Sequence, residues 1–177
     1  TGGSFLRATS TVRLDGVGAQ SVTSAGAAFY TLIVTNSGRT VTFSDVVTAE
    51  TLRDESVHMT FSGGITGTHV RVYSSEGAIT LSFGASTISQ VQDLFLLGEA
   101  GKIITLVSSA PATQWDLNLL RRPCVRYVNV MDSDAGGGQA VHPYMSTDSG
   151  NNVNWDFVAT VLAWDGSAST DFSDAAN

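Results

Sequence analysis

Thr40-Val41-Thr42-Phe43-Ser44 is followed by His58-Met59-Thr60-Phe61-Ser62, by Ile79-Thr80-Leu81-Ser82-Phe83 and by Ile103-Ile104-Thr105-Leu106-Val107. One phrase of β-branched, hydroxyl and large apolar residues thus returns along the chain. Phe43, Phe61, Phe83 and Leu106 stand 18, 22 and 23 residues apart. A phrase that recurs about every twenty residues, with Gly or Ser behind it, is the signature of stacked β rungs. Working outward from it, apolar residues alternate as in strands over Val12 and Leu14, Phe29 to Val34, Val57 to Phe61, Val70 to Tyr73, Trp115 to Leu119, Val125 to Val130 and Trp155 to Val161. Asp15-Gly16, Asn36-Ser37-Gly38, Ser62-Gly63-Gly64, Glu76-Gly77 and Glu99-Ala100-Gly101 supply turn chemistry between them. Ser89 to Leu97 fits a helical turn about as well as a strand. The spacing predicts an all-β chain, a parallel β-solenoid of short rungs, with a β-sandwich or jelly roll as the alternative. Asn36 to Arg39 would close a hairpin in the second plan.

The 177 residues are enough for one core. Charged residues make up 14%, against about a quarter in an average domain, so Ser, Thr, Asn and Gly carry the polar surface. The net charge is −7 and Lys102 is the one lysine, so the chain lacks the basic stripe that nucleic acid requires. Acidity also argues against anionic lipid, and no apolar run is long enough for a transmembrane helix. Neither nucleic acid nor membrane insertion is expected. Arg121-Arg122, the densest basic spot, reads as a solvated turn. Cys124 has no disulfide partner and is expected as a small buried thiol at a strand start. The chain begins at Thr1 rather than Met, as a cleaved signal peptide or an excised fragment would.

Three segments are expected: 1–15 as an extended N-terminal strand available to a neighbouring subunit, 16–162 as the β-repeat domain, and 163–177 as a linker or the start of a next module. Gln114-Trp115-Asp116-Leu117-Asn118, Val125 to Ala135 and Thr147-Asp148-Ser149-Gly150-Asn151-Asn152-Val153-Asn154-Trp155-Asp156-Phe157 resemble a module of very large secreted bacterial repeat proteins, read as β-solenoid or adhesin-like surface proteins. Trp164-Asp165-Gly166 to Asn177 is similar to the opening of a following module. The resemblance covers roughly residues 12 to 177 and implies a surface or structural role, with no activity to carry over.

Trp155 and Phe157 alternate with Asn154 and Asp156, so both rings face one side and suit the closing of a β stack. Asn151, Asn152 and Asn154 suit tight corners, where Asn tolerates left-handed backbone. Asp132, Asp134 and Asp148 are a weak Ca²⁺ candidate: Asp132-x-Asp134-x-Gly136 copies the start of a calcium loop but lacks its bidentate Glu. No other cofactor is expected. His58, His69 and His142 lack zinc spacing and read as surface residues. There is no Gly-x-Ser-x-Gly elbow, and the glycine runs do not match phosphate-binding loops. Asp116, Arg126 and Asp132 sharing a face, with Tyr144, Trp155 or Trp164 as sugar platforms, would be the pattern of a polysaccharide-cleaving enzyme.

The expected function is not enzymatic, and no catalytic residue is assigned. The chain reads as a secreted, cell-surface structural subunit that self-assembles into a filament, stalk or sheath. Unpaired ladder groups at each end of a rung stack are best satisfied by copies of itself or by neighbouring modules of the same polypeptide. Phe5, Leu6, Val12 and Leu14 at one end, and Trp155, Phe157, Trp164 and Phe172 at the other, are the expected assembly contacts. The alternative is an adhesin or carbohydrate-binding module with a glycan partner, and the third reading is the polysaccharide-cleaving enzyme.

Overall fold

The computed structural model describes residues 9–36, 40–55 and 57–158, and no helix occurs among them. Their strands form a parallel β-solenoid of about six turns. One sheet runs β1 (Thr11–Leu14), β3 (Ala28–Val34), β5 (Val47–Glu55), β7 (Ile65–Tyr73), β9 (Ile88–Leu97), β11 (Trp115–Leu119) and β14 (Ser133–Asp134), with β12 (Cys124–Arg126) also on β9. The second runs β2 (Gln20–Val22), β4 (Thr40–Phe43), β6 (His58–Phe61), β8 (Ile79–Phe83), β10 (Ile104–Ser108), β13 (Val128–Val130) and β15 (Thr147–Asp148). The chain alternates between the sheets, and every paired strand is parallel to its neighbour. The sandwich alternative falls because the strand pairings are all parallel, and the hairpin at Asn36 falls because β3 and β4 belong to different sheets.

The recurring phrase lies in the second sheet. Phe43, Phe61 and Phe83 occupy one register position and stack at 5.3 and 5.5 Å between ring centroids. Offset or parallel ring stacks of this kind add to the area buried by each ring. Leu106, expected as the next member, pairs instead with Leu81, and Ser108 stands against Phe83. The ring above Phe83 comes from the other sheet: Trp115 stacks on it at 3.8 Å and is fully buried. The aromatic ladder therefore continues by changing walls.

In the first sheet, inward positions do not alternate strictly. Phe29 is followed inward by Leu32, Ala49 by Leu52, and Val91 by Leu94. Strict alternation would put inward residues two apart. Here two consecutive residues stay out of the core, Tyr30-Thr31, Glu50-Thr51 and Gln92-Asp93. The register skips Glu50 against both Tyr30 and Thr68, so the ladder bends at one corner in coil after coil. Each coil is thus three-sided although it contributes only two long strands. Ser89 to Leu97 is strand throughout. Val125 to Val130, expected as one strand, divides at Tyr127 (φ 50°) into β12 and β13, one in each sheet.

Where the coil turns after the second sheet, successive coils touch through backbone. A Cβ at Gly84 would meet the carbonyl of Ser62, and Gly64 combines φ +85° with the carbonyl of Ile88 close by. Glycine is required at both. Asp45 ties the same corner to the coil before it, accepting from the Ser24 and Ala25 amides at 2.9 and 2.7 Å and from the Ser24 hydroxyl at 2.8 Å. These bonds, the Ser24 amide foremost, hold its carboxyl below the ordinary aspartate range.

Candidate functional site

The two ends of the stack and its outer walls are the places where this architecture meets other molecules. Among the described residues, β1 and β2 have a partner strand on one side only. Val12, Leu14 and Val22 register with Leu32, Val34 and Phe43, which are wholly buried, while they are themselves only partly covered. Phe5 and Leu6 lie outside the described residues.

At the far end, Trp155 and Phe157 stack at 6.0 Å on one side, as their alternation predicts. Trp155 is nearly buried, and its indole N–H donates to the Ser133 hydroxyl at 3.0 Å. Asn151 and Asn154 adopt φ of 56° and 60°. Asn side chains tie this coil to the one before: Asn151 Nδ2 donates to Asp132 Oδ1 (2.7 Å), Asn152 Nδ2 to the Val130 carbonyl (2.8 Å) and Asn154 Nδ2 to the Ala135 carbonyl (2.9 Å). Val153 and Val158 remain exposed beside them. Trp164 and Phe172 lie outside the described residues.

The three aspartates of the calcium candidate each accept hydrogen bonds from other protein groups. Asp132 is buried and accepts from the Ala112 amide as well as from Asn151. Asp134 accepts from the Gly136 amide and Asp148 from the Gly150 amide and Asn152. No group of three or more His, Cys, Asp or Glu among the described residues is arranged to hold a metal ion. The enzyme-like trio does not assemble either. Asp116 registers with Asp134, Asp132 turns inward toward the Ala112 corner, and Arg126 stands on β12 in a separate row. Trp155 is too covered to offer a sugar a face, whereas Tyr144, paired with Arg126, is exposed.

Cys124 is exposed, contrary to the buried thiol expected. It is an outward residue of β12, as is Arg126, and the inward position between them is taken by Val125. Arg121 and Arg122 are exposed at the bend between β11 and β12, where the Leu120 and Arg121 amides still donate to the Val91 and Gln92 carbonyls of β9. Arg121 reaches Asp93 at 3.4 Å, and His69 Nδ1 lies 2.9 Å from the same carboxylate without the alignment of a hydrogen bond. His58 Nδ1 accepts the Thr80 amide at 3.0 Å, and His142 pairs with Asp156 at 3.1 Å.

Two outer features escape a linear reading. Thr48, Thr66, Thr68, Gln90 and Gln92 line a shallow groove bounded by the exposed Leu120. On the other limb of the bent sheet, two rows run along the stack. One aligns Arg13, Ile33, Arg53, Arg71, Phe95 and Cys124, and the other aligns Glu55, Tyr73, Leu97 and Arg126. Only the register brings these residues together, since they are 18 to 29 positions apart in the chain. The guanidinium of Arg53 lies 5.7 Å from the Tyr73 ring centre and that of Arg71 lies 5.3 Å from the Phe95 ring centre.

No protein-family model, curated protein or solved structure matches this chain.

Proposed function

We propose that this chain is a structural module of an extracellular, cell-surface assembly, a β-solenoid that joins end to end with copies of itself. The observation that carries the reading is the incomplete coverage of Val12, Leu14 and Val22 beside neighbours that are wholly buried. A further coil laid on β1 and β2 would complete both ladders and the burial of these side chains. Full burial of such a residue is worth about 1.5–3 kcal/mol. Joining the unlike ends of two stacks is a head-to-tail contact that does not close into a ring, and such contacts generate filaments. The reading assigns the chain no catalytic step and no cofactor.

Sedimentation velocity across a concentration series, with negative-stain microscopy of the same samples, tests it. The expected outcome is axial oligomers or fibres that Leu14→Lys abolishes while circular dichroism retains the β signal. A monomer at every concentration, without fibres, defeats the proposal. A second reading, a glycan-recognising surface module, draws on the walls of the stack rather than its ends, and the two are compatible in one molecule.

A further inference from the structure

We infer that the arginine-bearing wall of the first sheet is a docking surface for an acidic polysaccharide, a glycan strand carrying carboxylate or sulfate groups and lying along the stack. The inference does not depend on end-to-end assembly.

The distribution of charge is the first argument. The chain has nine basic residues against sixteen acidic ones, yet Arg13, Arg53, Arg71 and Arg126 share one wall. Arg53 and Arg71 are direct register partners on neighbouring strands, an arrangement that is destabilising for like charges. Glu55 relieves part of this by pairing with Arg53 at 2.8 Å. Neither Arg71 nor Arg126 pairs with a carboxylate among the described residues. A wall of planar guanidinium groups, of which Arg53 is the member paired with a carboxylate among the described residues, is complementary to carboxylate and sulfate, which arginine grips through two parallel hydrogen bonds.

The second argument is the interleaving of rings. Tyr73 and Phe95 lie beneath the Arg53 and Arg71 guanidinium groups, which rest over the ring faces. Along the stack the rungs repeat at about 4.8 Å, so Arg53 and Arg71, on adjacent rungs, are spaced to meet acid groups on neighbouring sugars, while Arg13 and Arg126 stand farther along the wall. Nucleic acid is disfavoured as the occupant, because the four arginines are dispersed over the stack and form no continuous basic stripe to release counterions from a phosphate backbone.

Affinity electrophoresis through gels containing polygalacturonate, alginate or neutral dextran tests the inference, with single-stranded DNA and anionic phosphatidylglycerol vesicles as competing probes. The wild-type chain is expected to be retarded by an acidic polysaccharide and not by dextran, with the retardation falling as salt rises. The double variant Arg53→Gln/Arg71→Gln should lose at least tenfold in affinity. Relief of the like-charge pair offsets the lost Glu55 pairing and ring contacts, so its melting temperature should stay within a few degrees of the wild type's, which separates binding from a structural role. Arg121→Gln, on a different corner, should bind as wild type does. Equal retardation of the wild type and the double variant, or no retardation by any acidic polysaccharide, overturns the inference. Preferential capture by DNA or by the vesicles overturns the choice of glycan.

Discussion

Asp54 sends its carboxyl into the apolar interior, at a register position held by Val34 and Val72 in the adjoining coils. Its Oδ1 accepts the Val57 amide at 3.1 Å, while Oδ2 is buried without a partner. Burial pushes its pKa up to about 8, against the opposing pull of the Val57 and Glu55 amides. The folded chain therefore holds this proton more tightly than the unfolded chain, whose aspartate titrates near 3.8. The stabilisation this gives is fully present below that value and is lost as pH climbs toward 8. Asp54→Asn keeps the acceptor for Val57 and removes the titration. Urea denaturation from pH 5 to 8.5 should show a falling stability in the wild type and a flatter profile in the variant, with a gain on the order of 2 kcal/mol at the alkaline end. Parallel profiles would contradict the assignment. Nothing in Leu52-Arg53-Asp54-Glu55 signals a buried acid, because three charges in a row read as a solvated turn. The spacing of Asp132, Asp134 and Asp148 likewise cannot reveal that Asp132 is bonded to the neighbouring coils while Asp134 and Asp148 cap their own turns.

Among the elements, β5 is the instructive one. It has partners on both sides and carries Ala49 and Leu52 in the core, yet its stretch of chain was not among the expected strands. Its alternation breaks at Glu50-Thr51, where the sheet bends, so a period of two fails across a real strand. The second-sheet strands β4, β6 and β8 are straight, and there the period and the recurring Phe were legible directly. The solenoid and the side-by-side placement of Trp155 and Phe157 could be read for the same reason. The exchange of Leu106 for Trp115 as the next ring could not, since it crosses from one sheet to the other. Phe61, wholly buried between Phe43 and Phe83, is an interior member of the ladder. Phe61→Ala should cost about 3–5 kcal/mol, whereas Thr60→Val, its outward neighbour, should change stability by about 0.5 kcal/mol at most. Thermal or urea unfolding of the two variants measures the contrast. Equal losses would mean that the rings do not carry the core.

For the whole molecule, coil length varies while inward register is kept. The step from Phe43 to Phe61 is shorter than the step from Phe61 to Phe83, and the difference is taken up between the strands. Between β11 and β12 one extra residue is taken up against β9, since Leu119 to Cys124 spans five steps and Val91 to Phe95 four. Irregular spacing blurred the repeat in the sequence without disturbing the stack. The arginine wall belongs to this scale too, because its members become neighbours only when several coils are superposed. The first and last described coils lie at opposite ends of the stack, so a pull applied between them acts along the ladder and loads the hydrogen-bonded coils in series. Such a rod yields by peeling, one coil after another, each releasing about 70 Å of chain at roughly twenty residues. Single-molecule force spectroscopy should record a train of small rupture events, and one abrupt rupture of the whole would exclude it. A tether built this way stays stiff under light load and gives way gradually under heavy load, shedding tension before its attachment tears.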